Sequence, residues 1–375
     1  MSPSTRAARV SDRASSPGVG GGSPAGATGS GGDGVDRARS VTIFDVARLA
    51  GVSHQTVSRV LNDLPNVRPA TRERVENAIR QLRYVPSQAA RALVTRRSRT
   101  LGLVATGLPD YGPSSVVLAV TESARAAGYA IITANLVDST GPSLRSAAEL
   151  LIRQSVEAIV MVAAERAALD AFDGGELGVP LVAVASEDRG RAARVTVDQY
   201  EGARIAVSHL LELGHRGIRH IAGPVGSMDA EERLRGWRDR LAEAGIAAPD
   251  PERGDWSPES GFRIGTHLLR GERPTAVFVA NDQMALGVLR ALQTGGLRVP
   301  EDVSVVGFDD IPEAAYFTPP LTTLRQDFAN LGRDAMAAVL QLLQDDHAEP
   351  MPTGRVPQLI VRASTAPPAR AAEGL

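Results

Sequence analysis

Val41–Asn62, VTIFDVARLAGVSHQTVSRVLN, reads as two short helices joined by a tight turn. Thr42 is an N-cap with Asp45 three residues on, a capping-box spacing that also puts a carboxylate in the first turn. Val46, Leu49 and Ala50 form an apolar stripe, Gly51 ends the helix, and Ser53 caps the next one. On that second helix Val57, Val60 and Leu61 face inward, which leaves His54, Gln55, Ser58, Arg59 and Asn62 outside. A helix with one apolar face and an outer row of His, Gln and Arg suits a DNA major groove. The alternative for this stretch alone is an ordinary helical hairpin with a solvated polar face.

The next segments bear on that choice. Arg68–Arg83 is a third amphipathic helix, with Pro69 at its start and Val75, Ile79 and Leu82 turned inward. Three such helices can close a small core. Tyr84-Val85-Pro86-Ser87, the Ala-rich segment 88–94 and Thr95-Arg96-Arg97-Ser98-Arg99 follow. Residues 41–99 hold eleven Arg against four acidic residues, a net of +7, whereas 100–375 hold 25 Arg and 36 acidic residues, a net of −11. The overall net of −2 therefore conceals a basic head on an acidic body. A basic head suits a polyanion, and the polar helix face suits base edges as well as phosphate.

In the order helix-turn-helix, third helix, hinge segment, the head resembles the DNA-binding domain of the LacI family of bacterial transcription repressors. The resemblance continues through the body to about residue 365. It is carried by LGHRGIRHIAGP (Leu213–Pro224), GDWSPESGF (Gly254–Phe262), VANDQMALG (Val279–Gly287), SVVGFDD (Ser304–Asp310) and PPLTTLRQDF (Pro319–Phe328). It implies a small all-α helix-turn-helix head at 41–86, a hinge helix and linker at 87–99, and an α/β body at 100–365. That body would be two-lobed and periplasmic-binding-protein-like, serving ligand binding and dimerisation. A Gly/Ser/Ala-rich tail at 1–40, with too little apolar surface to offset its ordering entropy, and a flexible tail at 366–375 complete the chain.

A chain of 375 residues suits two or three domains. The sequence has no apolar signal-peptide region and no run of about eighteen apolar residues, so a cytoplasmic protein without a membrane partner is expected. The basic side chains are all Arg, which excludes a P-loop lysine and a Schiff-base lysine. The chain has no Cys, and its six His show no metal-binding spacing. His215 and His220 read as structural histidines at a loop–strand boundary. No GxSxG elbow is present, and no enzyme, cofactor or metal is expected.

From Thr100 the chain alternates short apolar runs with amphipathic helical ones, the pattern of open α/β sheets with crossover helices. Leu101–Thr106, Ala130–Leu136, Ala158–Ala163 and Leu181–Ala185 read as strands of one sheet; 220–223, 276–280 and 303–308 read as strands of a second. The resemblance puts one lobe at about 100–197 with 328–355, and the other at 198–325 with the last strand. Ligands of such sheets bind beyond the carboxyl ends of the strands.

Asn281 and Asp309 stand at strand ends, Arg233 opens a helix, and Trp256 sits in a loop. A sugar needs carboxylate, amide and guanidinium for its hydroxyls and an aromatic plate for its apolar face. Each residue alone has an ordinary reading: helix cap for Asp309, turn residue for Asn281, core rim for Trp256, surface ion pair for Arg233. The resemblance marks all four as effector contacts, together with Gln326 and Phe328 at the crossover between lobes. Thr106 joins them as one of three candidate polar anchors on the N-lobe side. There the chain departs from a sugar-binding pattern: Ala185 stands where an acidic residue is expected, and Val162 or Ala163 where an amide is. Either the ligand is less hydroxylated on that side, or Ser186, Asp188 or Thr106 substitutes.

What the resemblance implies is a repressor of a carbohydrate-utilisation operon that leaves double-stranded operator DNA when a saccharide, a galactoside or similar, binds. His54, Gln55 and Arg59 read bases; Thr42, Ser53, Thr56, Ser58, Asn62 and Thr71 bind phosphates; Ala90 and Leu93 of the hinge enter the minor groove. The segment after Val361 lacks leucine heptads, so a homodimer is expected. Two alternatives remain at this stage: a family member whose ligand tightens operator binding, and a sugar-processing enzyme with a DNA-binding head.

Overall fold

The structure, a computed structural model, describes residues 41–85, 97–106, 109–136, 140–172, 177–186, 193–271, 273–345 and 353–369. The chain divides into two compact units, residues 1–86 and 87–375. Ala90, Leu93 and Asp188 lie outside the described residues.

In the first unit α1 (Ile43–Ala50), α2 (His54–Leu61) and α3 (Pro69–Leu82) enclose Val46, Ala47, Ala50, Val57, Val60, Val75 and Ala78. Asp45 Oδ2 accepts both the Thr42 N–H (2.9 Å) and the Thr42 hydroxyl (2.7 Å), fixing the start of α1. Gly51 ends it at φ +65°, a conformation that a side chain would strain. Leu49 is not in the stripe: it is exposed, and Ala47 is buried instead. The inner face runs 43, 46, 47, 50, the i, i+3, i+4, i+7 spacing of one helical stripe, from which 49 is offset. Arg68 and Arg83 cap α3 rather than belong to it.

The second unit holds two parallel sheets. The N-lobe sheet comprises β1 (Thr100–Thr106), β2 (Ala130–Leu136), β3 (Ala158–Val162), β4 (Leu181–Val184), β5 (Ala193–Val197) and, in chain order far later, β11 (Thr353–Arg355). Its strand order is β11-β5-β4-β3-β1-β2. Helices α4 (Tyr111–Ala126), α5 (Gly141–Arg153) and α6 (Arg166–Asp170) connect it, and α11 (Phe328–Gln344) returns to it. β1, β3 and β4 are buried on nearly every residue because helices cover both sheet faces.

The C-lobe sheet has the order β7-β6-β8-β9, from β6 (Ile218–Ala222), β7 (Glu252–Arg253), β8 (Ala276–Val279) and β9 (Ser304–Val306). Around it lie α7 (Gln199–Glu212), α8 (Met228–Glu243), α9 (Pro258–Leu268) and α10 (Asp282–Thr294). Strands β10 (Thr323–Arg325) and β12 (Gln358–Ile360) pair antiparallel beside the crossovers. The chain thus passes between lobes near 198, 326 and 356. β5, β7, β10 and β12 are too short, or too interrupted by Arg and polar residues, to stand out in the sequence.

Ala366, where a flexible tail was expected to start, is bonded to the C-lobe sheet. The Ala366 carbonyl accepts from Ser304 Oγ (3.0 Å) and the Ala366 N–H donates to the same oxygen (3.1 Å), so this backbone is tied to β9. His215 Nε2 also meets that carbonyl at 2.8 Å, a structural role as read from sequence.

Candidate DNA-binding and effector sites

On the head, His54, Gln55 and Arg59 are exposed along one side of α2, while Val57 and Val60 anchor the other. Arg59 donates to the Pro65 carbonyl at 2.6 Å, which holds the guanidinium beside the loop that follows α2. Phe44, not singled out from sequence, is 59% exposed with its ring 5.2 Å from that of His54. An exposed Phe beside a row of polar readers was the available signal. Several phosphate candidates carry structural bonds: Ser53 accepts from the Thr56 N–H (3.2 Å), and Asn62 donates to the Ser58 carbonyl (2.8 Å). Thr42 is engaged at the start of α1, and Thr71 lies half-buried in the first turn of α3.

In the body, the carboxyl ends of β6, β8 and β9 converge on a cleft. Asn281 follows β8 and caps α10, accepting from the Met284 N–H (2.9 Å) while its amide donates to the Trp256 carbonyl (3.1 Å). It is therefore both a helix cap and a cleft residue. Trp256 takes φ +72°, and its ring lies over Gly223 at the end of β6. A Cβ on Gly223 would stand 2.2 Å from the indole, so glycine is what lets the plate lie there. Arg233 is no surface residue: it is 3% exposed, with its guanidinium carbon 3.8 Å from the centroid of Phe308.

Arg233 belongs to a closed circuit of polar side chains. Its Nε donates to Gln199 Oε1 (2.9 Å), Gln199 Nε2 donates to Gln326 Oε1 (3.0 Å), and Gln326 Nε2 donates to Asp309 Oδ1 (2.6 Å). Asp309 returns to within 3.6 Å of Arg233. Burial pushes the Asp309 carboxyl up to about 6, with Arg233 and Gln326 opposing. Asp309 holds φ +108°, a backbone that an L-residue keeps only where neighbours impose it. Behind it, Asp282 accepts from Thr323 Oγ1 (2.6 Å) and the Ile311 N–H (2.9 Å), and burial raises its pKa.

Two adjoining cavities share Gly112, Pro113, Ala164 and Asp229. One, of about 380 Å³, is lined by Arg233, Trp256, Asn281 and Asp309; the other, of about 460 Å³, by Gln326 and Phe328 among others. Six of the seven expected residues are thus brought together. Thr106 is buried and lines neither cavity; its hydroxyl meets the Ala164 N–H at 3.5 Å. Ala185, Val162 and Ala163 do line the larger cavity, as does Ser186, which donates to Asp229.

Asp110, Tyr111, Gln199 and Asp229 were not anticipated as lining residues. Asp229 lies four residues before Arg233 on one helix, a spacing that carried the signal; Asp110 and Tyr111 stand at the start of α4, and Gln199 just past a crossover. Burial, then Asp255, raises the Asp110 carboxyl. Beside the cavities a clasp joins the lobes. Glu165 bridges Ser227, the Met228 N–H donates to the Ala164 carbonyl (3.2 Å), and Met228 is buried in the N-lobe core. Among the described residues no cluster of three His, Cys, Asp or Glu suits a metal, and no helix is long and apolar enough to cross a membrane.

Comparison with known proteins fits this layout. Residues 42–87 match the family described as bacterial regulatory proteins, lacI family, and residues 207–365 match the periplasmic binding protein-like domain. The chain is 37% identical over 312 residues to the lactose operon repressor of Escherichia coli (strain K12), covering 82% of this chain and 86% of that protein. It is 34% identical over 334 residues to the HTH-type transcriptional repressor PurR of Actinobacillus pleuropneumoniae serotype 3, covering 86% and 98%. Among solved structures, the lac repressor dimer bound to operator and the anti-inducer ONPF aligns with a TM-score of 0.80 at 36% identity, over 87% of this chain and 99% of that one. The CelR–cellobiose complex aligns at 0.65 with 34% identity, over 86% and 99%.

Proposed function

Because the chain belongs to the LacI family of bacterial regulatory proteins, we propose that it is a DNA-binding transcriptional repressor of carbohydrate-utilisation genes, released from its operator by a saccharide. It acts as a homodimer, so that two heads meet the two half-sites of a pseudo-palindromic operator. Arg59 reads a guanine edge, with Gln55 and His54 beside it, and the hydroxyl and amide side chains around α2 set register on the backbone.

The observation that carries the effector assignment is the buried circuit of Arg233, Gln199, Gln326 and Asp309 beside the Trp256 plate. Two of its members, Gln199 and Gln326, stand at crossover segments between the lobes, so a ligand that takes over their hydrogen bonds acts on how the lobes meet. Asp229, engaged across the cleft by Ser186, adds a second such point. Ligand-dependent repression requires that contacts differ between two lobe arrangements, and these contacts can differ. The test is operator binding by fluorescence anisotropy with and without mono- and disaccharides. Weakened binding with a saccharide is the expected result. Tightened binding would identify a corepressor, and no response to any saccharide would overturn the effector assignment.

A further inference from the structure

We propose that Arg362 is a positioning residue for the effector site: from the C-terminal strap, residues 361–369, it fixes Asp310 and thereby aims the Asp309 carboxylate into the circuit. This rests on the reading of Asp309 as an effector contact. Asp309 and Asp310 carry the chain away from β9 at φ +108° and +54°, two successive left-handed positions without a glycine. L-residues stay there only where their neighbours over-determine the backbone. It is from this backbone that Asp309 reaches Gln326 and Arg233. One constraint is the Asp309 N–H, which donates to the Leu324 carbonyl at 2.8 Å. The other is the carboxylate of Asp310, buried and held by two guanidiniums.

Asp310 Oδ2 accepts from Arg325 Nε and Oδ1 from Arg362 Nη2, each at 2.6 Å. The Arg325 side chain is 52% exposed and that of Arg362 17%, so water competes with the first pair far more than with the second. Arg362 is itself anchored. Its Nη1 donates to the Leu321 carbonyl (2.7 Å) and its backbone N–H to Thr322 Oγ1 (2.9 Å). Two residues on, the buried Ser364 stitches the strap to β9. The Val305 N–H donates to the Ser364 carbonyl (2.8 Å), Ser364 Oγ donates to the Val305 carbonyl (2.6 Å), and the Thr322 N–H donates to Ser364 Oγ (2.8 Å). Neither Asp310 nor Arg362 lines a cavity, so their influence on a ligand passes through Asp309. Without Arg362, one oxygen of a buried carboxylate loses its donor, and Asp310 recovers one by turning toward water. That turn relaxes the left-handed pair and draws Asp309 off Gln326.

The experiment compares full-length wild type, Arg362→Gln, Arg362→Lys and Arg325→Gln by crystal structure, operator affinity and calorimetric titration with lactose and cellobiose. In Arg362→Gln the Asp309–Gln326 bond is expected to open and disaccharide affinity to fall about tenfold, with operator affinity kept. Arg362→Lys, which returns a cationic donor, should restore part of that loss, and Arg325→Gln should change little. In an Asp309→Asn background Arg362→Gln should cost no further affinity, a non-additivity that a merely structural strap would not produce. Asp310→Asn approaches the same contact from its other side, and it decides the matter where Arg362→Gln fails to fold. An Asp309–Gln326 bond intact in the variant crystals, or a full second loss in the Asp309→Asn background, would overturn the positioning role and leave the saccharide reading standing. Should neither disaccharide bind the wild type, the saccharide reading loses these two ligands, and the variant crystal structures still decide for or against Arg362.

Discussion

The head and the cleft hold their candidate residues in opposite ways. On the head, His54, Gln55 and Arg59 are exposed, and the hydrogen bond of the Arg59 side chain reaches only six residues along the chain. In the cleft, Arg233, Asp309 and Gln326 are buried, and Gln199 meets Gln326 across 127 residues of sequence. A reader on an exposed helix face can change without disturbing what holds the helix. A member of the buried circuit cannot, because its partners were desolvated on the assumption that it is there. Head substitutions should therefore separate function from stability, and cleft substitutions should couple them.

The largest break in that contrast is expected at Arg233. Arg233→Ala leaves Asp309 and Gln199 buried without their partner, at a cost of about 3–5 kcal/mol. It should lower the melting temperature and abolish the response to saccharide, while operator binding persists below the melt. A variant that melts and responds normally would show that the circuit neither holds the fold nor meets the effector.

Arg59→Ala is the counterpart on the head. Loss of a bidentate guanine contact should cost about 1–3 kcal/mol on the specific operator and far less on random DNA, with the melting temperature unmoved. Equal losses on both DNAs would make Arg59 a phosphate contact. A drop in melting temperature would make its bond to the Pro65 carbonyl structural.

The same contrast explains what the sequence could reveal. The head is legible because one helix makes the site: the spacing of Val57 and Val60 alone says which side chains remain outside. Leu49 was misplaced because one-position offsets on an eight-residue helix decide burial. Strands β1, β3 and β4 announce themselves as continuous Val/Ile/Leu/Ala runs, whereas β10 and β12, three residues each, have no periodicity to read. The cleft was partly legible through strand-end residues such as Asn281 and Asp309. Gln199 and Asp110 escaped because their place in the cleft depends on three crossings between lobes, which no local pattern encodes. Thr106 failed because a strand-end hydroxyl beside a backbone N–H settles on that N–H rather than facing the cavity.

A smaller effect sharpens the electrostatics of the cleft. Asp309, raised to about 6, is faced by Arg233, by Asp229 and by Asp110, with Asp282 behind it. Its raised pKa favours the protonated folded form, so its contribution to stability is present below the usual carboxylate range and fades as pH rises through about 6. Effector binding has the opposite sign, because the ionised carboxylate is the better acceptor for hydroxyls. Saccharide affinity should fall by up to about tenfold from pH 7 to pH 5 while the unliganded protein gains stability from this group. Asp309→Asn should flatten the affinity profile. An unchanged slope in that variant would assign the titration to another carboxylate.

The smallest effect tests whether one residue can serve both modes. Ser53 caps α2 through the Thr56 N–H, and it is also a candidate phosphate contact. Ser53→Ala should cost the head about 1 kcal/mol through the lost cap. If capping were its only role, operator affinity measured well below the melt would barely move, since the head stays folded. A phosphate contact adds a loss that persists at low temperature, is equal on specific and random DNA, and reduces the salt dependence of binding by about one counterion. Ser53→Asn, which keeps a capping oxygen, should restore the melting temperature whichever role holds. Comparing the salt slopes of the wild type and Ser53→Ala therefore reads the DNA contact apart from the cap, and an unchanged slope would leave Ser53 to the helix alone.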